Sequence, residues 1–137
     1  MVIQRWQTVF LLLAGLAMCF FAFSPVCDLI VPDYICTVKT VEILPTFIIA
    51  LLSGLMLFIS IFLYKTTHLQ KRVVIASEIL TFFTMVSLAI YYLKSEAMAF
   101  EWRFAAVLPF IALVLEIWAY SRNRKDENLL KSYDRIR

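Results

Sequence analysis

The sequence predicts an all-α membrane protein: a four-helix transmembrane bundle with both termini on the cytoplasmic side (N-in/C-in) and a short, basic, amphipathic C-terminal tail. Three observations predict it. Of 137 residues, 63% are hydrophobic and only 17% charged, more apolar surface than a small soluble domain can bury. The apolar residues gather in four blocks, each near the roughly 17 to 25 residues a helix needs to cross hydrocarbon. The basic residues gather at one side of those blocks, as the positive-inside rule requires of cytoplasmic connections.

The first block, residues 6–23, follows Arg5 and runs apolar to Ala22-Phe23-Ser24. That ending resembles a secretory cleavage site, but Pro25 would begin the cleaved chain and the apolar run is long for a signal core. It is therefore expected to be a retained span. The connection after it holds Cys27, Pro32, Asp33 and Cys36, a turn-rich excursion on the outward side. In an oxidising compartment Cys27 and Cys36 are candidates for a disulfide that closes this loop. Cys19 lies within the first span and is expected to pack there.

Residues 43–64 and 73–93 form the clearest spans, separated by a short turn with Lys65, His68, Lys71 and Arg72. Residues 104–120 form the fourth, with Trp102, Trp118 and Tyr120 placed as an aromatic belt at its ends. Long unbroken apolar runs suit spanning helices, whereas barrel strands alternate and are about half as long. Ten of the thirteen basic residues fall at the termini or between spans two and three; only Lys39, Lys94 and Arg103 fall in the other two connections, beside Asp28, Asp33, Glu42, Glu96 and Glu101. Residues 1–121 are thus read as the bundle and 122–137 as its cytoplasmic tail.

Each span carries small or hydroxylated residues at helical spacing, which let helices approach closely in lipid. They are Gly15, Cys19 and Ala22; Ala50, Ser53 and Gly54; Ser77, Thr81 and Thr84; and Ala105, Pro109, Ala112 and Ala119. Two acids share these faces. Glu78 lies six residues after Arg72 and Glu116 six before Arg122, so both sit roughly 9 Å inside the cytoplasmic boundary. An ionisable group at such depth is a candidate functional site. Together the two carboxyls can hold a proton or a cation; alternatively each snorkels toward Arg5, Lys71, Arg72 or Arg122.

Other chemistry finds little footing. One histidine, in a turn, supplies neither a haem pair nor a zinc site, and two glycines make no phosphate loop. A thiol oxidase would normally show a close Cys-x-x-Cys pair, which is absent. No metal, cofactor or enzymatic activity is expected. In the tail, Arg122, Arg124, Lys125, Lys131, Arg135 and Arg137 are interleaved with Asp126, Glu127 and Asp134. If helical, this segment sets Leu129, Tyr133 and Ile136 on one face, which suits contact with anionic lipid at the cytoplasmic face or with a partner protein. The interleaved acids and the lack of a stacking aromatic cluster argue against nucleic acid.

The opening Ile3-Gln4-Arg5 with Gln7-Thr8, and the ending Lys125-Asp126-Glu127, Leu129-Leu130, Ser132 and Asp134-Arg135-Ile136-Arg137, carry a resemblance. With Pro45, Leu63-Tyr64-Lys65 and Leu108-Pro109 between them, the chain resembles, over essentially its whole length, an uncharacterised four-span membrane-protein family of Bacteroidota, a domain of unknown function. The resemblance implies the inner membrane of a Gram-negative bacterium and no assigned activity, cofactor or ligand. Two functional classes stay open: a non-catalytic scaffold or accessory subunit of a larger membrane complex or homo-oligomer, and a small proton-coupled transporter or exporter using Glu78 or Glu116.

Overall fold

The computed structural model describes residues 2–95 and 99–135, with side chains from Trp6 onward. The readings that rest on the Arg5 side chain, Glu96, Ile136 and Arg137 lie outside the described residues. Four long helices occupy the expected blocks: α1 (Val2–Phe23), α2 (Leu44–Phe62), α3 (Thr67–Lys94) and α4 (Leu108–Arg135). All four contain stretches long and apolar enough to cross a membrane. Pro45 and Pro109 fall in the first turns of α2 and α4, where a missing N–H costs no helical bond. α1 ends where Ser24 precedes Pro25, which disfavours helical geometry in the residue before it; Ser24 Oγ turns back to donate to the Phe20 carbonyl at 2.7 Å.

α3 and α4 each have 28 residues, about 42 Å at the helical rise, and so exceed the hydrocarbon thickness of about 30 Å. Both are longer than the expected spans of 73–93 and 104–120. The excess lies at the same end of the molecule. α4 continues unbroken through Arg122 and Lys131 to Arg135, so residues 122–135 extend the fourth span as one helix. Lys71 on α3 is ion-paired with Glu127 on this extension, and Glu127 also meets Lys131 at 3.0 Å.

The expectation of an all-α chain is corrected at the opposite end. β1 (Pro25–Val31) and β2 (Tyr34–Lys39) form an antiparallel hairpin around Pro32-Asp33, and β3 (Ala99–Trp102) adds to the free edge of β1, giving the order β2-β1-β3. The two connections expected to face outward thus become one sheet that caps the bundle. Val26, Ile30, Val31, Tyr34, Ile35 and Val38 are β-branched or aromatic, which favours pleated structure once a neighbouring strand is present. Thr40 fastens the cap: its hydroxyl reaches the carbonyls of Phe21 at 2.7 Å and Ser24 at 3.1 Å. Arg103 N–H continues the ladder to the Val26 carbonyl at 2.9 Å.

The bundle is apolar outside and partly polar inside. Leu16, Phe20, Leu55, Phe62, Phe82 and Phe110 are among many exposed large side chains, whereas Ser53, Ser60, Ser77, Thr81, Thr84 and Glu116 are fully buried. A belt of exposed apolar residues this large fits lipid rather than water. All the expected small-residue stripes face inward. Where α1 and α2 cross, a Cβ added to Gly54 of α2 would lie 3.1 Å from Cys19 Sγ and 3.5 Å from the Gly15 carbonyl oxygen of α1.

Candidate functional site: a buried carboxyl network

Glu116 sits on the inward stripe of α4, between Ala112 and Ala119, and its side chain is completely buried. Thr81 of α3 donates to Glu116 Oε1 at 2.9 Å. The Thr81 oxygen lies 2.7 Å from Ser53 Oγ of α2 and 3.0 Å from the Ser77 carbonyl. With its one proton on Glu116, Thr81 accepts from Ser53. The result is a hydrogen-bonded row, Ser53 to Thr81 to Glu116, crossing three helices. Oε2 of Glu116 is buried and has no partner.

Glu78 lies three residues before Thr81 on α3, about one helical turn from the residue that bonds Glu116. It is partly buried, and its Oε1 lacks a hydrogen-bond partner. Among the described residues no basic side chain pairs with either acid; Lys71, one of the expected partners, is taken by Glu127. The two carboxyls are thus brought to neighbouring levels, with Glu116 in the core and Glu78 at its margin. Three further hydroxyls extend the polar interior: Thr46 and Ser87 meet at 2.7 Å between α2 and α3, and Ser60 bonds within its own helix.

The cysteine pair is not joined. Cys27 and Cys36 are both free thiols. The hairpin register sets Cys27 opposite Val38 and Cys36 opposite Leu29, so the two are diagonal neighbours about 7–8 Å apart, beyond the usual Cα separation of a disulfide. Cys27 is fully buried and Cys36 exposed. Burial, together with the nearby Asp28, Cys36 and Glu42, pushes the Cys27 thiol up to about 11, which leaves little thiolate for redox exchange.

The basic residues of the α4 extension, Arg122, Arg124, Lys125, Lys131 and Arg135, are exposed around the helix. Arg122 and Lys125 border a groove of about 320 Å³ with Phe10 and Trp118, whose rings meet edge-on at 6.0 Å. Aromatic and basic side chains so combined suit the headgroup level of a bilayer.

The sequence reading missed a second polar layer. Gln7 of α1, Gln70 of α3 and Asn123 of α4 are almost wholly buried near the end of the bundle opposite the sheet. Their spacing was the available clue: Gln70 lies one turn before Val74 and two before Ser77, and Asn123 one turn beyond Ala119, each continuing an inward stripe. No curated protein and no solved structure matches the chain. A family model for a domain of unknown function, DUF4293, matches residues 3–136, and the chain, with its four candidate membrane-spanning helices, belongs to that family.

Proposed function

We propose that this protein is a small multi-pass protein of a bacterial inner membrane, with both termini cytoplasmic, in which Glu116 takes up and releases a proton and so drives a proton-coupled transport cycle. The observation that carries the proposal is a completely buried carboxyl group, hydrogen-bonded to Thr81 and facing no cation among the described residues. A structural acid this close to the headgroups would be expected to snorkel or pair. Glu116 does neither, and Glu78 beside it gives a second carboxyl through which a proton can be relayed toward the tail end. The excess of basic residues at that end supports a cytoplasmic placement.

The test is reconstitution in liposomes with an imposed pH step, read by capacitive current on a supported membrane. A transient that vanishes in Glu116→Gln and is reduced in Glu78→Gln supports the cycle. A wild-type protein that is electrically silent and shows no pH-dependent carboxyl band in infrared difference spectra overturns it.

An accessory-subunit role is favoured by a different observation, the exposure of Tyr34 and Ile35 on β2, an outer strand of the sheet. Open strand edges invite pairing with another chain. Photo-crosslinking from position 35 in native membranes would capture a larger partner reproducibly under this reading, and only lipid or nothing otherwise.

A further inference from the structure

The end of the bundle opposite the sheet holds a cavity of about 350 Å³, lined by α1, the turn between α2 and α3, the first turn of α3 and the extension of α4. Its inner wall is built from Gln7, Gln70 and Asn123, which are 5%, 4% and 1% exposed. The hydrogen bond found among these amides is a long one, Asn123 Nδ2 to Gln70 Oε1 at 3.5 Å. Gln7 Nε2 and Asn123 Oδ1 are buried with no partner. Exchanging the oxygen and nitrogen of either amide changes which one donates, but the wall keeps unsatisfied hydrogen-bonding capacity either way. Buried polar atoms of this kind are rare unless something binds them.

The rim carries both signs of charge. Lys65 borders the cavity from the α2–α3 turn, Asp126 from α4, while the neighbouring Glu127 is already held by Lys71 and Lys131. A simple anion would meet Asp126 and a simple cation would meet Lys65. A group with both charges satisfies both, and among the described lining residues the rest are uncharged apart from the neutralised Glu127. The cavity also lies where α3 and α4 leave the hydrocarbon, the level of lipid headgroups.

We propose that this cavity binds a zwitterionic primary-amine group, with its ammonium toward Asp126 and the Asn123 carbonyl oxygen and its anionic part toward Lys65 and the Gln7 amide. A phosphoethanolamine lipid headgroup and a free amino zwitterion share this chemistry. The depth of the cavity favours the lipid.

The experiment is native mass spectrometry of the full chain released from nanodiscs of equal phosphatidylethanolamine, phosphatidylcholine and phosphatidylglycerol. Phosphatidylcholine carries the same charges without ammonium N–H groups, so it isolates the proposed contacts. Retention of phosphatidylethanolamine about tenfold above the other two, lost in Asp126→Asn and in Asn123→Leu, supports the lipid headgroup. A thermal shift with glycerophosphoethanolamine in pure phosphatidylcholine nanodiscs, absent in Asp126→Asn, supports the free zwitterion as ligand. Equal retention of the three lipids with no response to the soluble compound overturns the site. So does an Asp126→Asn protein that keeps the full preference, and because Asp126 is at the rim this holds even if Asn123→Leu fails to fold.

Discussion

The two cysteines of the sheet differ in what surrounds them, and that difference is directly measurable. Cys36 is exposed on the outer strand, whereas Cys27 is wholly buried against the bundle with its thiol pushed up to about 11. A membrane-impermeant maleimide is therefore expected to label Cys36 rapidly and Cys27 only after unfolding, on single-cysteine backgrounds read by intact mass. Asp28, next along β1, accepts from Arg103 Nε at 2.9 Å; this bond and the Thr37 side chain across the ladder hold its carboxyl below the usual range. A depressed folded pKa stabilises above the unfolded value and is lost as pH falls through the folded one. Asp28→Asn should therefore lower the unfolding midpoint at pH 7 and flatten its acid dependence below about pH 4. Because Arg103 is 45% exposed, solvent screening should keep the effect at neutral pH small.

At the scale of elements, the helix pairs rest on close approach rather than on bulk. Gly54 packs against Cys19 and the Gly15 backbone. A methyl group there meets a thiol that can turn aside, whereas a leucine cannot be accommodated without parting α1 from α2. Gly54→Ala should be mild, and Gly54→Leu should destabilise by about 1–3 kcal/mol in a mixed-micelle unfolding titration. Cys19→Ala should recover much of the alanine defect and little of the leucine one, a non-additivity expected of touching residues. These helices were legible from the length of their apolar blocks, and their inward faces because helical spacing collects small residues on one side; burial of Ser53, Ser77, Thr81, Ala112 and Glu116 follows that spacing. The sheet was not legible for a physical reason. β1 and β3 are brought together by helices that separate them by about seventy residues, and β3 has only four residues. Val26, Ile30, Val31 and the turn at Pro32-Asp33 were the local hints of the hairpin, hidden beside a longer apolar pattern.

At the scale of the molecule, the four helices are not equally joined. α1 packs extensively on both α2 and α4, and α2 on α3, while α3 and α4 share the least contact of the neighbouring pairs. Near the sheet this seam is held: β3 lies in the connection between the two helices and is bonded to β1, and Tyr92 of α3 meets Phe100 edge-on at 5.0 Å and Trp102 at a tilt at 5.7 Å. Deeper in the bundle the seam is bridged by the bond from Thr81 to Glu116, and at the far end by the Lys71–Glu127 ion pair and the Asn123–Gln70 contact. A change of charge on Glu116 should therefore move α3 against α4 most on the tail side of the Thr81–Glu116 bond, where a long amide contact and a partly exposed ion pair hold the seam, and least at the sheet cap. Spin labels at Ile75 and Ile117, both exposed on the tail side of that bond, should report a pH-dependent shift of about 1–2 Å or a broadening of their distance distribution. Labels at Ile90 and Phe110, near the cap, should hold their distance. Glu116→Gln keeps an oxygen to accept from Thr81 but cannot titrate, so it should leave the helices packed and abolish the pH response. Equal shifts at both ends, or a response that survives in Glu116→Gln, would place the moving part elsewhere and detach the buried carboxyl from it.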